Sequence, residues 1–162
     1  MKYKTTLELE IAVMKKLGIR KKLIVTNISW GLNIHECDLL MVSGSGYATE
    51  IEIKISKSDL IKDLEKRHKH QNRKIKYLYF AMPSSLAKHI EYVPTHAGIM
   101  VVNSRGRVFT IARPKINPAC RPLTEDEIFQ VARLGAMRIL GLKTKVLKFK
   151  NKEETLKNKN SQ

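Results

Sequence analysis

Residues 35–63 read HECDLLMVSGSGYATEIEIKISKSDLIKD. An apolar run carrying Asp38 leads into Ser43-Gly44-Ser45-Gly46, a turn signal of hairpin length. A second run follows in which Glu50, Glu52 and Lys54 alternate strictly with Ile51, Ile53 and Ile55. Alternate side chains of a strand face opposite ways, so the isoleucines line one face and the charged residues the other. The hairpin predicts Asp38 near Glu52 and Lys54, with carboxylates and an ammonium converging on one face. Like charges that are buried or half-buried are costly unless a cation neutralises them. A bound divalent metal with Lys54 poised beside it is the simplest arrangement that does so. Ser56 and Asp59, at capping-box spacing, then open a helix over 57–70 with Leu60, Ile61 and Leu64 on its buried face. Asp59 and Asp63 lie in its first turns, where the helix dipole favours acids, and read as structural or supporting residues.

Working outward, Thr5 and Glu8 have capping-box spacing and Gly18 is a helix stop, which predicts a helix over 5–18. Leu7, Ile11, Met14 and Leu17 share its apolar face. Glu8 falls outside that arc as a capping residue. Glu10 falls inside it, and the pattern alone leaves open a carboxylate at the rim of the stripe or one aimed at the site. KLIVTNISW, residues 22–30, reads as the first strand, with Trp30 a packing residue at the sheet edge. IKYLYFAM, residues 75–82, reads as a central strand covered on both sides. A short helix from 83 to about 92 follows, then strands over 98–103 and 107–112 joined by the Ser104-Arg105-Gly106 turn. Thr124-Glu125-Asp126-Glu127 starts a helix that runs to about Gly141 and is apolar over most of its circumference, hence buried on several sides or joined to a partner chain.

A length of 162 residues is ample for one domain, assigned to 1–142, with 143–162 as a basic, flexible tail. The 31 Lys and Arg against 15 Asp and Glu give a net charge of +16, which argues for a polyanionic partner and not for any particular fold. No apolar run reaches the 18 residues of a membrane span, and the N-terminal residues lack a signal-peptide core, so a soluble cytoplasmic protein is the expectation. Cys37 and Cys120 make no disulfide framework. His35-Glu36-Cys37 invites a zinc-deaminase reading, but Pro118-Ala119-Cys120 is followed by no second cysteine and the ligand set is incomplete. Between 57 and 76, eight Lys and Arg face three acids. Of these, Lys57, Lys66, Arg67, Lys69, Arg73 and Lys74 are the candidate phosphate contacts.

Asp38, thirteen residues, and Glu52-Ile53-Lys54 together resemble the PD-(D/E)XK nuclease superfamily, whose signature is a carboxylate on one strand and (D/E)-x-K on the next. Cys37 stands at the position of the proline. Ser56, Asp59 and Asp63, then Leu78-Tyr79-Phe80-Ala81-Met82-Pro83, Val93-Pro94 and Ala97-Gly98-Ile99 extend the resemblance to the small DNA-repair-associated branch, over roughly residues 5–115. The resemblance implies an α/β, restriction-endonuclease-like core: a central mixed sheet flanked by helices, here with an extra C-terminal helix. It implies a Mg²⁺-dependent deoxyribonuclease, Mn²⁺ being a substitute, with metal on Asp38, Glu52 and the Ile53 carbonyl. Many members add an acid from the first helix, which favours Glu10 as a further ligand. Lys54 matches the lysine that positions or activates water and stabilises the transition state. Hard oxygen donors suit Mg²⁺ on chemical grounds as well. Glu36 and Glu50 share the strand faces of Asp38 and Glu52 and stand next in line.

Two other classes compete. A DNA-binding or accessory protein could keep the fold without cutting, although the intact set of Asp38, Glu52 and Lys54 argues against a decayed site. A basic RNA-binding protein would call for surface aromatics to stack on bases. One Trp, five Tyr and four Phe are present, most placed by pattern in the core. The expected partner is DNA, hence association with the nucleoid and not with a membrane. A homodimer is compatible with the sequence.

Overall fold

The computed structural model describes residues 5–65, 70 and 72–159. In chain order it contains α1 (Thr6–Leu17), β1 (Leu23–Ile28), β2 (Cys37–Val42), β3 (Ala48–Ile53), α2 (Lys57–Leu64) and β4 (Ile75–Pro83). A 3₁₀ helix (Ser84–Tyr92), β5 (Gly98–Val102), β6 (Val108–Ala112) and α3 (Glu125–Lys159) complete it. The six strands form one sheet in the order β1-β2-β3-β4-β5-β6. β3, β4 and β5 are mutually parallel, and β1, β2 and β6 join antiparallel. This is the α/β architecture expected, with a mixed central sheet, flanking helices and a C-terminal helix.

Local chemistry places these elements. Thr5 Oγ1 accepts from the Glu8 amide at 3.3 Å and Glu8 Oε2 accepts from the Thr5 amide at 3.2 Å, so the capping box of α1 closes. The β2–β3 hairpin turns at Ser43–Gly46, where the Gly46 amide donates to the Ser43 carbonyl at 2.9 Å. Gly46 holds φ 79°, in the left-handed region that a side chain would disfavour. Gly98 is needed for space: a Cβ there would lie 2.5 Å from the Tyr79 ring.

Helices cover both sheet faces. On one, Leu9 and Val13 of α1 pack on Ile24, Leu39, Ile51, Ile53, Ala81, Met100 and Val102. On the other, Val131 and Leu134 of α3 pack on Val25, Leu40 and Val42, while Leu60 of α2 and Leu86 of the 3₁₀ helix pack on Leu78, Phe80, Met82, Ile99 and Val101. Between these last two clusters runs the charged face of β3. Its register sets Glu50 between Leu40 and Leu78, and Glu52 beside Phe80.

Four expectations need correction. α2 ends at Leu64 instead of continuing to 70, and residues 66–69 and 71 lie outside the described residues. α3 does not stop near Gly141 before a flexible tail: it continues to Lys159. A lone glycine costs a helix only about 1 kcal/mol, and the Leu, Lys and Glu beyond it are strong helix formers with no proline among them. Nor is α3 buried on several sides. Val131 and Leu134 are buried, Ile128 is partly so, and Phe129, Met137, Ile139 and Leu140 are exposed, because the helix lies along edge strand β1 with one stripe only. Trp30 is 49% exposed in the bend after β1, with the Arg133 guanidinium 5.7 Å from its ring centre, and is not a packed edge residue.

Candidate functional site

All six residues of β3 are buried, although its sequence alternates like that of a half-exposed strand. Burial of Glu50, Glu52 and the following Lys54 demands partners, and a continuous polar chain supplies them. The Lys54 ammonium donates to Glu52 Oε2 and to Asp63 Oδ1, each at 2.7 Å. The other Asp63 oxygen lies 2.6 Å from His70 Nε2, and His70 Nδ1 lies 2.5 Å from Glu50 Oε1. Glu50 Oε2 is 2.7 Å from His35 Nε2. The chain thus runs from Glu52 through Lys54, Asp63, His70 and Glu50 to His35.

Charge alternates along it and fixes protonation. Burial alone would lower the pKa of His70, but its hydrogen bonds and charge pairing with Asp63 and Glu50 win and raise it to about 9. A carboxylate at each ring nitrogen requires both nitrogens to carry protons, so His70 is an imidazolium. Burial would likewise raise Glu50, and the two histidines hold it below the ordinary carboxylate range instead. Lys54 is pulled down by burial and raised further by Glu52 and Asp63, so it stays an ammonium.

Asp38 takes a different place from the one expected. Cys37 packs with Leu40 and Val42 instead of with Leu39, so the pleat is interrupted at Asp38, opposite Asn27 with its left-handed φ of 52°. Asp38 Oδ2 accepts the Ile53 amide at 2.7 Å and so meets β3 between Glu52 and Lys54. Among the described residues, the tight groupings of potential ligand atoms are His35, Glu50 and His70, and Glu52, Asp63 and His70; neither contains Asp38 or Glu10. Glu10 is half-buried on α1, and its pKa is raised first by burial and then by the charge of Asp38. The charges of Glu10 and Asp38 thus interact, and neither belongs to the two tight groupings.

The donors fit a hard divalent cation in kind. Glu10 and Asp38 are like-charged oxygen donors whose charges interact on the α1 side, whereas the Glu52 carboxylate belongs to the opposite sheet face beside Lys54, and the two sides meet at the Ile53 backbone. Lys54 and Asp63 open to solvent through a depression of about 410 Å³, lined also by Thr6, Ile53, Ile55, Asp59 and Lys62.

The expected phosphate contacts divide. Lys57 is exposed at the start of α2, with its ammonium 5.1 Å from the Tyr92 ring centre. Arg73 is exposed on a separate cleft with Lys76, His96 and Lys115. Lys74 is withdrawn from that role: it donates to the Leu32 carbonyl and pairs with Glu127 at 3.0 Å, which ties α3 to the loop before β2. Lys66, Arg67 and Lys69 lie outside the described residues.

Reading the sequence missed His70 and His35 and ranked Asp63 as supporting. Asp63 was recoverable, since it falls three residues after buried Leu60 on the inward stripe of α2. The histidines stand 15 and 20 residues from Glu50, and only the need to compensate a buried carboxylate points to them.

The chain matches no family description and no curated protein at significance. Among solved structures it is similar to a protein of unknown function from Silicibacter pomeroyi, at 15% identity and a TM-score of 0.66, over 88% of this chain and 94% of that one. That likeness shows the fold. No helix among the described residues is long and apolar enough to cross a membrane.

Proposed function

We propose that the protein is a Mg²⁺-dependent nuclease that hydrolyses DNA phosphodiester bonds, acting in repair, recombination or the processing of phage or mobile-element DNA. One observation carries the reading: just past the end of β3, buried Lys54 lines an open depression and holds Glu52 by its ammonium, with Asp38 hydrogen-bonded to the Ile53 amide between them. Asp38, Glu52 and the Ile53 carbonyl, with Glu10, would hold Mg²⁺ or Mn²⁺. Such an ion supplies charge neutralisation at the phosphate and a water of lowered pKa. Lys54 contributes as a cation and not as a base, because its neighbours keep it protonated. Two of its three N–H groups go to Glu52 and Asp63, and the third can meet a phosphate oxygen. Asp63 holds the ammonium in place, and His70 and Glu50 hold Asp63. Lys62 lines the depression and, with exposed Lys57 on the same helix, would draw the backbone of the substrate towards it. With DNA as the partner, the protein would associate with the nucleoid.

A specific observation favours a second reading. Glu52 is already ion-paired to Lys54, and Asp38 stands outside the tight grouping, which suits a DNA-binding protein that keeps the fold without cutting. The test is incubation with plasmid, nicked, branched and single-stranded DNA under Mg²⁺, Mn²⁺ or EDTA. Metal-dependent cleavage by the wild type is expected, abolished in Asp38→Ala and Glu52→Ala together with metal binding. Lys54→Ala should lose cleavage and keep the metal. Full cleavage by Lys54→Ala or Glu52→Ala overturns the nuclease reading. DNA binding with neither cleavage nor metal binding by the wild type selects the second.

A further inference from the structure

Past Gly135, α3 leaves the domain. Near this point it is tied to the sheet at Gly135, where a Cβ would lie 3.2 Å from Val25, and at Arg138, whose guanidinium donates to the Asn27 carbonyl. Every residue from 136 to 153 is exposed. Yet the stripe that binds the helix to the domain through Ile128, Val131 and Leu134 does not end there. At 100° per residue it continues as Ile139, Leu142, Val146 and Phe149, which are between 53% and 69% exposed. Their 3-4-3 spacing is that of a coiled-coil seam, with β-branched Ile139 and Val146 at a, and Leu142 and Phe149 at d.

The flanks of the seam determine what can cover it. Lys143 and Lys150 occupy the e positions, and Arg138, Lys145 and Lys152 the g positions. A second copy, in either orientation, would set cations against cations along both sides, the device by which coiled coils exclude a partner. A lipid surface fits no better. The stripe is only about 80° wide, and Lys143 and Lys150 separate it from Leu140 and Leu147, so no broad apolar face forms. We propose that residues 139–152 of α3 dock an acidic amphipathic helix of a partner protein, with apolar residues in the seam and Glu or Asp opposite the flanking cations. The chemistry is charge complementarity around a dry seam, and it is independent of the nuclease reading.

The test uses the full chain and three synthetic helical peptides of about three heptads. The first carries Ile and Leu at a and d with Glu at e and g. The second has the same seam with Lys at e and g, and the third has Glu at e and g with Ser in the seam. Calorimetry should show binding of the first alone. Leu142→Asn and Val146→Asn, both on exposed positions, should weaken it by about tenfold or more with unchanged melting temperature and helicity. Lys145→Glu combined with Lys152→Glu should weaken the first peptide and admit the second. Equal binding of the first and third peptides would reduce the effect to bulk charge and overturn the proposal. So would indifference of the first to Val146→Asn, dimerisation of the protein through α3 in sedimentation, or capture by phosphatidylserine vesicles without peptide binding.

Discussion

His70 shows what a single side chain does here. It sits between two buried carboxylates, and its pKa of about 9 exceeds the ordinary 6.5 of an unfolded chain. The native state therefore binds the proton more tightly. The stabilisation is fully present below about pH 6.5 and is lost as pH rises through about 9. It is on the order of 3 kcal/mol, shared with Glu50 and Asp63 as one coupled unit. Urea titrations should show wild-type stability falling across that window, and His70→Gln should flatten the fall. His70→Ala should cost roughly 3–5 kcal/mol near neutrality, because it leaves Glu50 and Asp63 buried without their shared cation. Glu10 behaves in the opposite sense. Burial and Asp38 raise its pKa, so its ionised form is disfavoured in the fold above the normal carboxylate range. Glu10→Gln should stabilise the metal-free protein above about pH 5 while weakening Mg²⁺ binding and any cleavage. Glu8→Gln, which keeps the acceptor of the capping box and removes only a charge from the first turn, should cost about 0.3–1 kcal/mol at most and leave metal binding alone. If Glu10→Gln leaves Mg²⁺ affinity unchanged in calorimetry, Glu10 is no ligand.

At the scale of elements, Gly98→Ala separates fold from chemistry. A Cβ there meets the Tyr79 ring and Pro114, at the Tyr79–Gly98 pair of the parallel β4–β5 ladder. Overpacking of this kind costs about 1–3 kcal/mol. Thermal unfolding should show that loss, with metal affinity kept at temperatures where the variant is folded. The elements also show what could be read from the chain. The strands, the hairpin at Ser43–Gly46 and the caps at Thr5, Ser56 and Thr124 follow from local rules, because alternation, turn residues and capping are set by neighbours in sequence. The charged face of β3 was legible for the same reason. What escaped depends on distant neighbours. Nothing local says that the pleat breaks at Asp38, where Asn27 of β1 stands opposite, or that Lys74 answers Glu127. Glu127 is held well below the usual carboxylate range by Arg121 first and then by the Thr124 amide and Lys74, so this contact fastens the start of α3. The end of α3 escaped for another reason: a lysine-rich sequence that buries nothing reads equally as tail or as helix.

The whole molecule carries a charge of +16, and its cations are spread unevenly. Lys74 and Lys54 are spent on internal carboxylates, whereas α3 beyond Gly141 presents exposed Lys143, Lys145, Lys148, Lys150 and Lys152. If DNA is the partner, each phosphate neutralised releases counterions, and log affinity falls linearly with log salt at about −0.9 per phosphate on duplex. Surface lysines contribute to that slope and the buried network does not. Deletion from Lys143 onward should therefore make the slope shallower and raise Kd at low salt, while the melting temperature and any Mg²⁺-dependent cleavage per bound complex persist, since no residue from 143 to 153 is buried. Asp38→Ala and Glu52→Ala should leave the slope measured in EDTA unchanged, because binding then rests on the surface alone. Filter binding or anisotropy between about 50 and 300 mM salt reads both effects. A slope near zero in the intact protein would remove nucleic acid as the partner. An unaltered slope after the deletion would instead place the phosphate contacts on Lys57 and Lys62 of α2 or on the cleft of Arg73, and leave the basic flanks of α3 to the acidic helix alone.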